Sequence, residues 1–464
     1  MNVVLVSPYR GAIFEYSGVK IQPLGVSYIG AALKKAGHNI QIELLENSDS
    51  LPDFDGADVV GISCNAVQFK SGLRVAKSAK EQGKIVIMGG PHPTSSPDEA
   101  LKSGVVDYVV RAEGEATAVE LLEGLKYGKH FNPKKVLGIS YIDKGTDSIV
   151  HNPNRPYIEN LDEVPFPIRE ANWRYGKSNS FAKNNGIIEY PLITTRGCPY
   201  GCNFCDVHLL AGKRFRARTI DNTVKEIEEI ITKYNVDRVL IVDDIINYDS
   251  KRLMMLFEEL IKRGLPVVRW VMGRSDHLIK EPKTVEIMGK AGVRQMFLGI
   301  ESPNERILKA YKKGGKISLD YSIKAVDLLK QNNIETWGAF LMGEPTETEE
   351  DIKRTIDFAK YLNPGIAQFS ILTPYPGTEL WSDVESKIFT KDWDKYDAMH
   401  SVFKTNYVEP EKLEQLLKKA YVSFYTQPSK ILRKIFEKDH YGRPDLKRTI
   451  EIIKSLKFIF KKNI

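Results

Sequence analysis

The stretch "TTRGCPYGCNFCDVHLL" (residues 194–210) holds Cys198, Cys202 and Cys205, three of the four cysteines in a chain of 464 residues. Thiolates are soft ligands, and three of them on a turn rich in Gly and Pro point to iron–sulfur or zinc. A structural zinc takes a fourth ligand at close spacing, and His208 stands three residues past Cys205. A 4Fe–4S electron carrier takes four Cys. Three thiolates on a cubane leave one iron open, which is a place for chemistry rather than for electron storage.

The turn follows an apolar run expected as a strand over 187–194. Further strands are expected near 237–243, 267–273, 294–300, 334–342 and 366–372. Amphipathic helices such as "NTVKEIEEIITKY" (222–234) and "DIKRTIDFAKYL" (351–362) fill the intervals. Six such units over 186–395 predict a partial barrel with its chemistry on the carboxyl-end loops. Residues 1–130 form a second alternating series. Short apolar runs ("NVVLVS", "NIQIELLE", "DVVGIS", "KIVIMGG", "VDYVV") flank helical "LGVSYIGAALKKAG" and "SGLRVAKSAKEQG", the pattern of a Rossmann-like, doubly wound parallel sheet. The Pro- and Asn-rich segment 131–185 reads as a linker, and 396–464 as a helical C-terminal region. The fold class is α/β.

Apolar residues at 42% and charged residues at 27% are ordinary for a globular protein, and four cysteines are too few for a disulfide framework. No secretory leader pattern opens the chain and no run reaches 18 apolar residues, so the expectation is a cytoplasmic protein. The net charge of +7 resides in residues 430–464, where eleven Lys and Arg face four Asp and Glu. A nucleic-acid partner is therefore not expected. A basic amphipathic tail is, and such tails favour anionic membrane surfaces, giving an expectation of peripheral contact with the inner membrane surface.

"RGCPYGCNFC" resembles the signature of the radical S-adenosylmethionine (radical SAM) superfamily, including Phe204 before the third Cys. The resemblance implies a 4Fe–4S cluster on Cys198, Cys202 and Cys205. The open iron is chelated by SAM, whose reductive cleavage yields a 5′-deoxyadenosyl radical. Strand-end "DD" (243–244), "GIES" (299–302), "GEPTET" (343–348) and "TPYPGT" (373–378) resemble motifs of the same superfamily. They make Phe204, Asp244, Glu301 and Gly343 expected neighbours of SAM. Arg274, at the end of the third strand, could meet its carboxylate through a guanidinium fork.

The first domain resembles the cobalamin-binding domain fused to such enzymes. Ser63 and the pair Gly89–Gly90 match its strand-end motifs, and Ser7, His92 in "GGPHPT" and Glu113 in "EGE" are the other expected cobalamin contacts. The Asp-x-His-x-x-Gly motif that supplies a cobalt ligand elsewhere is missing from "SPYRGAIFEYSG" (7–18). The resemblance spans nearly the whole chain. It implies methyl transfer from methylcobalamin to an unactivated carbon, with a flavodoxin- or ferredoxin-type electron donor and a small-molecule, hydrophobic or lipid-like substrate. A ring-forming oxidative cyclase, and a corrinoid- and cluster-binding sensor without radical chemistry, stay open as alternatives.

Overall fold

The computed structural model describes residues 1–9, 22–45, 51–174, 183–184, 187–265, 267–314, 318–428 and 430. The basic tail over 431–464 and most of the 7–18 loop lie outside the described residues.

Among the described residues the first sheet has eight strands: β1 (Asn2–Ser7), β2 (Asn39–Leu45), β3 (Val59–Ser63), β4 (Ile85–Gly89), β5 (Tyr108–Val110), β6 (Ile139–Asp143), β7 (Ser148–His151) and β8 (Asn172–Arg174). Their order is β7-β6-β5-β4-β3-β1-β2-β8. The first five strands are parallel, and the sheet reverses its winding between β1 and β3, which opens a crevice at their carboxyl ends. The helices Leu24–Lys35 and Glu115–Leu125 cover one face, and Phe69–Glu81 covers the other with Val75, Ala76 and Ala79 turned inward.

The expected linker is a different thing in part. Residues 139–151 form an antiparallel hairpin on the sheet edge, with Tyr108 opposite Tyr141, and β8 pairs in parallel with β2. The strands are only three to five residues long, so their alternation is too brief to stand out from the surrounding Pro and Asn. Between them, Arg169 is buried and binds Glu226 at 2.6 Å and the Pro191 carbonyl at 2.6 Å, tying the segment to the barrel. An unpaired charge at that depth would cost several kcal/mol, so this strap is fixed in place.

The second sheet carries β9 (Lys183–Asn184), β10 (Ile187–Leu192), β13 (Arg238–Ile241), β14 (Val268–Gly273), β15 (Gln295–Glu301), β16 (Glu335–Met342) and β17 (Ile366–Ile371). Six of these strands run parallel in chain order and curl into the expected (βα)6 half-barrel. A two-residue pair, β11 (Thr195–Arg196) with β12 (Arg216–Ala217), brackets the cysteine turn. Helix Ile220–Tyr234 shows how the sequence builds the outer layer. The Thr219 hydroxyl accepts from the Asn222 amide, Val224, Ile227 and Ile230 face the sheet, and Asn235 ends the helix at φ 49°.

The free edge of the half-barrel is β17, and an open edge leaves amides and carbonyls unpaired. Helix Pro410–Tyr425 covers it. The Tyr421 hydroxyl bridges the N–H and C=O of Phe369 at 3.2 and 2.9 Å, and Tyr425 does the same for Ala367 at 3.2 and 2.9 Å. No helix among the described residues is long and apolar enough to cross a membrane.

Candidate active site

The cysteine turn lies between β11 and β12, at the carboxyl end of the first barrel strand. Gly197 enters it at φ +86°, and a Cβ there would sit 2.4 Å from the Arg214 carbonyl, so only glycine fits. Asn203 fastens the turn from beneath: its amide donates to the Tyr311 carbonyl at 3.1 Å and its side chain to the Ala310 carbonyl at 3.0 Å. Phe204 packs edge-on against Tyr311 at 5.3 Å. Burial raises the pKa of all three thiols, and Cys202 acts electrostatically on both Cys198 and Cys205, so its thiol neighbours each of the other two. The His208 ring, held below its ordinary pKa by burial, leans on the Cys205 main chain. Among the described residues no three His, Cys, Asp or Glu side chains close on a single ion. Three thiols on one turn, with no fourth Cys in the barrel sequence, match a cluster that keeps one iron open.

The two aspartates after β13 do different work. Asp243 is fully buried and accepts from the Thr194 amide and hydroxyl at 2.6 and 2.5 Å and from the Thr195 amide at 3.1 Å, locking β10 to β13. Among the described residues Asp244 accepts from the Gly197 amide alone, at 2.9 Å, and burial pushes its carboxyl up to about 6. Its carboxylate opens onto a cavity, where it is free to orient a ligand.

Arg274 spends most of its donors within the protein. It binds Asp276 at 3.1 and 3.2 Å and the carbonyls of Lys313 and Gly314 at 2.9 and 2.7 Å, and it lies 3.6 Å from the ring centre of Tyr200 in the cysteine turn. Its geometry is that of a brace for the turn. Glu301 ends β15 at φ +64° and pairs with buried Lys313 at 2.8 Å, and both act on Cys202. The Gly343 amide donates to Glu347 at 2.6 Å.

A cavity of about 310 Å³ runs from the carboxyl edge of the first sheet inward beneath helices Leu24–Lys35 and Glu115–Leu125. It gathers Ser63, Gly89, Gly90 and Glu113 from the expected corrinoid contacts and reaches Asp244 of the barrel. Gly90 has φ +94°, and a Cβ would stand 2.8 Å from the Cys64 carbonyl and 2.9 Å from its amide nitrogen. Small residues at the rim and Val26, Leu33, Val59 and Leu122 in the depth make a narrow apolar slot, which suits a flat heterocyclic tail. Ser7 is buried at the end of β1 and is not part of this wall. His92 turns the other way, between Phe69 and Trp393 at 4.3 Å each, with Nε2 3.3 Å from Glu99.

Glu113 also faces the barrel. One carboxylate oxygen takes Arg196 at 3.2 Å, and the other takes Arg216 and the Ile158 amide at 2.8 Å each. Arg196 reaches Glu115 at 2.6 Å as well. These buried pairs join the "EGE" loop to β11 and β12, on either side of the cysteine turn. Sequence reading missed Arg196, Arg216 and Lys313, since isolated basic residues in turns carry no local pattern.

Residues 11–122 match the B12 binding domain and residues 192–359 the Radical SAM superfamily. An "Uncharacterized methyltransferase" of Pyrococcus horikoshii is 34% identical over 456 residues, covering 95% of this chain and 96% of the relative. The chain belongs to the cobalamin-dependent radical SAM methyltransferase family. The bacteriochlorophyllide d C-12(1)-methyltransferase of Chlorobaculum tepidum is 30% identical over 403 residues, 86% of this chain and 81% of that one. The family also includes anaerobic magnesium-protoporphyrin IX monomethyl ester cyclases, such as that of Rubrivivax gelatinosus at 26% identity over 456 residues, 96% of this chain and 80% of that one. The same fold occurs in the radical SAM methyltransferase TsrM of Kitasatospora setae, with a TM-score of 0.67 at 16% identity over 98% of this chain and 90% of that one. It occurs again in the cobalamin-dependent enzyme OxsB, with a TM-score of 0.71 at 18% identity over 99% and 72%. As a family member the protein is a radical SAM enzyme working with a 4Fe–4S cluster, SAM and cobalamin, and the neighbouring thiols and the glycine-rimmed slot fit two of these groups directly.

Proposed function

We propose that this enzyme places a methyl group on an unactivated carbon of a hydrophobic small molecule. The observation that carries this reading is the meeting of two cavities. The corrinoid slot and a larger cavity against β17 share Pro91, and the segment from Asp206 to Ala211, which begins beside Cys205, lines both. A methyl donor seated in the first and an acceptor in the second would lie on either side of one turn, next to the cluster.

When bound, the cluster, SAM and cobalamin supply a 5′-deoxyadenosyl radical and a transferable methyl group. The protein's part is placement. Cys198, Cys202 and Cys205 would hold the cluster, and the Asp244 carboxylate, which lines the cavity, would accept a hydrogen bond from SAM. Glu301 and Lys313 form a fixed charge pair beside Cys202, and Gly343 lets its loop pack close against Leu413. Gly89 and Gly90 admit the corrinoid tail. A flavodoxin- or ferredoxin-type protein supplies the electron, and the basic segment 430–464 brings the enzyme to an anionic membrane surface. The relatives support a hydrophobic acceptor, since they include bacteriochlorophyllide d methyltransferases and a hopanoid C-3 methylase of Methylococcus capsulatus at 27% identity.

The test is anaerobic incubation of the reconstituted enzyme with methyl-deuterated SAM and a reductant. Formation of 5′-deoxyadenosine and of a product carrying the intact labelled methyl is expected. A product that has lost hydrogen without gaining the label would make this a cyclase instead. A spectral change without SAM cleavage would make it a sensor.

A further inference from the structure

The larger cavity, about 550 Å³, lies at the lateral opening of the half-barrel, between β17 and the turns after β3 and β4. Trp337, Phe369, Tyr375, Tyr396, Tyr421 and Tyr425 supply its aromatic walls. The polar tips of these side chains are already committed to the protein. The Tyr421 and Tyr425 hydroxyls are held by the main chain of β17, as described above. The Tyr375 hydroxyl donates to the Tyr396 carbonyl at 3.2 Å and the Tyr396 hydroxyl to the Thr390 carbonyl at 3.0 Å. The Trp337 indole N–H donates to Gln368 at 3.2 Å. What these residues present to the cavity is therefore ring surface, fixed in orientation.

Charge is distributed just as unevenly. No Lys or Arg lines the cavity among the described residues. Of its two carboxylates, Asp397 is occupied by the Met399 and His400 amides at 2.8 and 3.1 Å and by the His400 ring at 3.0 Å. Asp206 meets no other side chain by hydrogen bond among the described residues and marks the end nearest the cluster. A phosphate or carboxylate brought in here would be desolvated with no Lys or Arg among the lining residues to receive it. Immobile aromatic faces favour a rigid ring system, each good ring–ring contact adding about 0.5–1.5 kcal/mol beyond burial. A flexible chain would lose rotamer freedom on entry and stack poorly.

We propose that this cavity is the acceptor site and that it takes an electrically neutral polycyclic ring system, with no anion buried alongside it. The proposal rests on the methyltransferase reading above and narrows its substrate to a class. Specificity then lies in Trp337, Tyr421 and Tyr425 as plates, with Ser370 and Met399 setting the room between them.

The experiment uses the full-length enzyme loaded with cluster and cobalamin, kept anaerobic without SAM. It is titrated with dehydroergosterol, a neutral fluorescent tetracycle, and separately with geranylgeranyl diphosphate. Energy transfer from tryptophan reports the sterol, and competition reports the diphosphate. Saturable sterol binding at least about tenfold tighter than the diphosphate is expected. Ser370→Phe and Met399→Trp, which fill the cavity from opposite sides, should each weaken the sterol at least about tenfold while retained corrinoid per chain stays constant. Equal or tighter binding of the diphosphate, no saturable sterol binding, or indifference of both filled variants would overturn the proposal. Formation of 5′-deoxyadenosine by a second portion of the same preparation, given SAM and a reductant, separates the two levels. If it forms while the sterol fails, the substrate class alone falls; if it does not form, the enzyme reading falls with it.

Discussion

Replacing Glu347 by Gln should make the protein more stable at pH 8 and leave it nearly unchanged at pH 5. Glu347 is fully buried below the Gly343 loop. Its Oε2 accepts from the Gly343 and Glu344 amides at 2.6 and 3.2 Å, while Oε1 is buried without a partner among the described residues. Burial pushes its carboxyl up to about 8, reinforced by the nearby Asp351 and Glu344 carboxylates and only partly offset by the two amides. An acid whose pKa is raised by folding is protonated in the native state and ionised in the unfolded one between about pH 4.5 and 8. Folding then takes up a proton, so stability falls as pH rises through that window. From pH 5 to pH 8 the loss is at most about 4 kcal/mol, from about 1.4 kcal/mol per pKa unit. Gln has the shape and neutral charge of the protonated acid and should not pay this penalty. Differential scanning calorimetry of cluster-loaded enzyme at one scan rate, in steps from pH 5 to 8.5, checks it. The wild-type melting temperature should drop away from that of Glu347→Gln by several degrees at the upper end, with the curves meeting at the lower. Parallel curves, or a variant less stable at pH 8, would refute the reasoning.

Gly90→Ala adds a Cβ 2.8 Å from a main-chain oxygen at φ +94°. It should cost about 1–2 kcal/mol in backbone strain alone and lower the corrinoid retained per chain, measured by absorbance after gel filtration. Cys202→Ala should abolish both the iron–sulfur absorption and 5′-deoxyadenosine formation, whereas His208→Ala should keep its iron content, measured by metal analysis. Tyr421→Phe with Tyr425→Phe removes both hydroxyls that satisfy the β17 edge. It should destabilise by about 1–3 kcal/mol per stranded amide, read as faster hydrogen exchange at Ala367 and Phe369.

The barrel was legible because parallel strands buried on both faces are written as unbroken apolar runs. All six predicted barrel strands match the structure to within two residues at each end. The first stops two residues short, where Ile193 and Thr194 leave the sheet and Thr194 binds Asp243. The cysteine turn was legible because its chemistry is local. Segment 131–185 was not, since its strands are shorter than the window in which alternation can be recognised, and its buried Arg169 looks like any surface arginine. The larger cavity was also invisible, because it brings Asn65 and Pro91 against Tyr421 and Tyr425, hundreds of residues apart in the chain. Arg274 shows a subtler limit. Its place at a strand end was readable, but the neighbours that occupy its guanidinium come from residues 313 and 314.

The buried carboxylate–guanidinium lattice of Glu113, Glu115, Arg196 and Arg216 has a mechanical consequence. Swinging the corrinoid half away from the barrel would break three ion pairs at once, Glu113 with Arg196 and Arg216 and Glu115 with Arg196. The lattice therefore latches the first sheet's carboxyl edge to both sides of the cysteine turn.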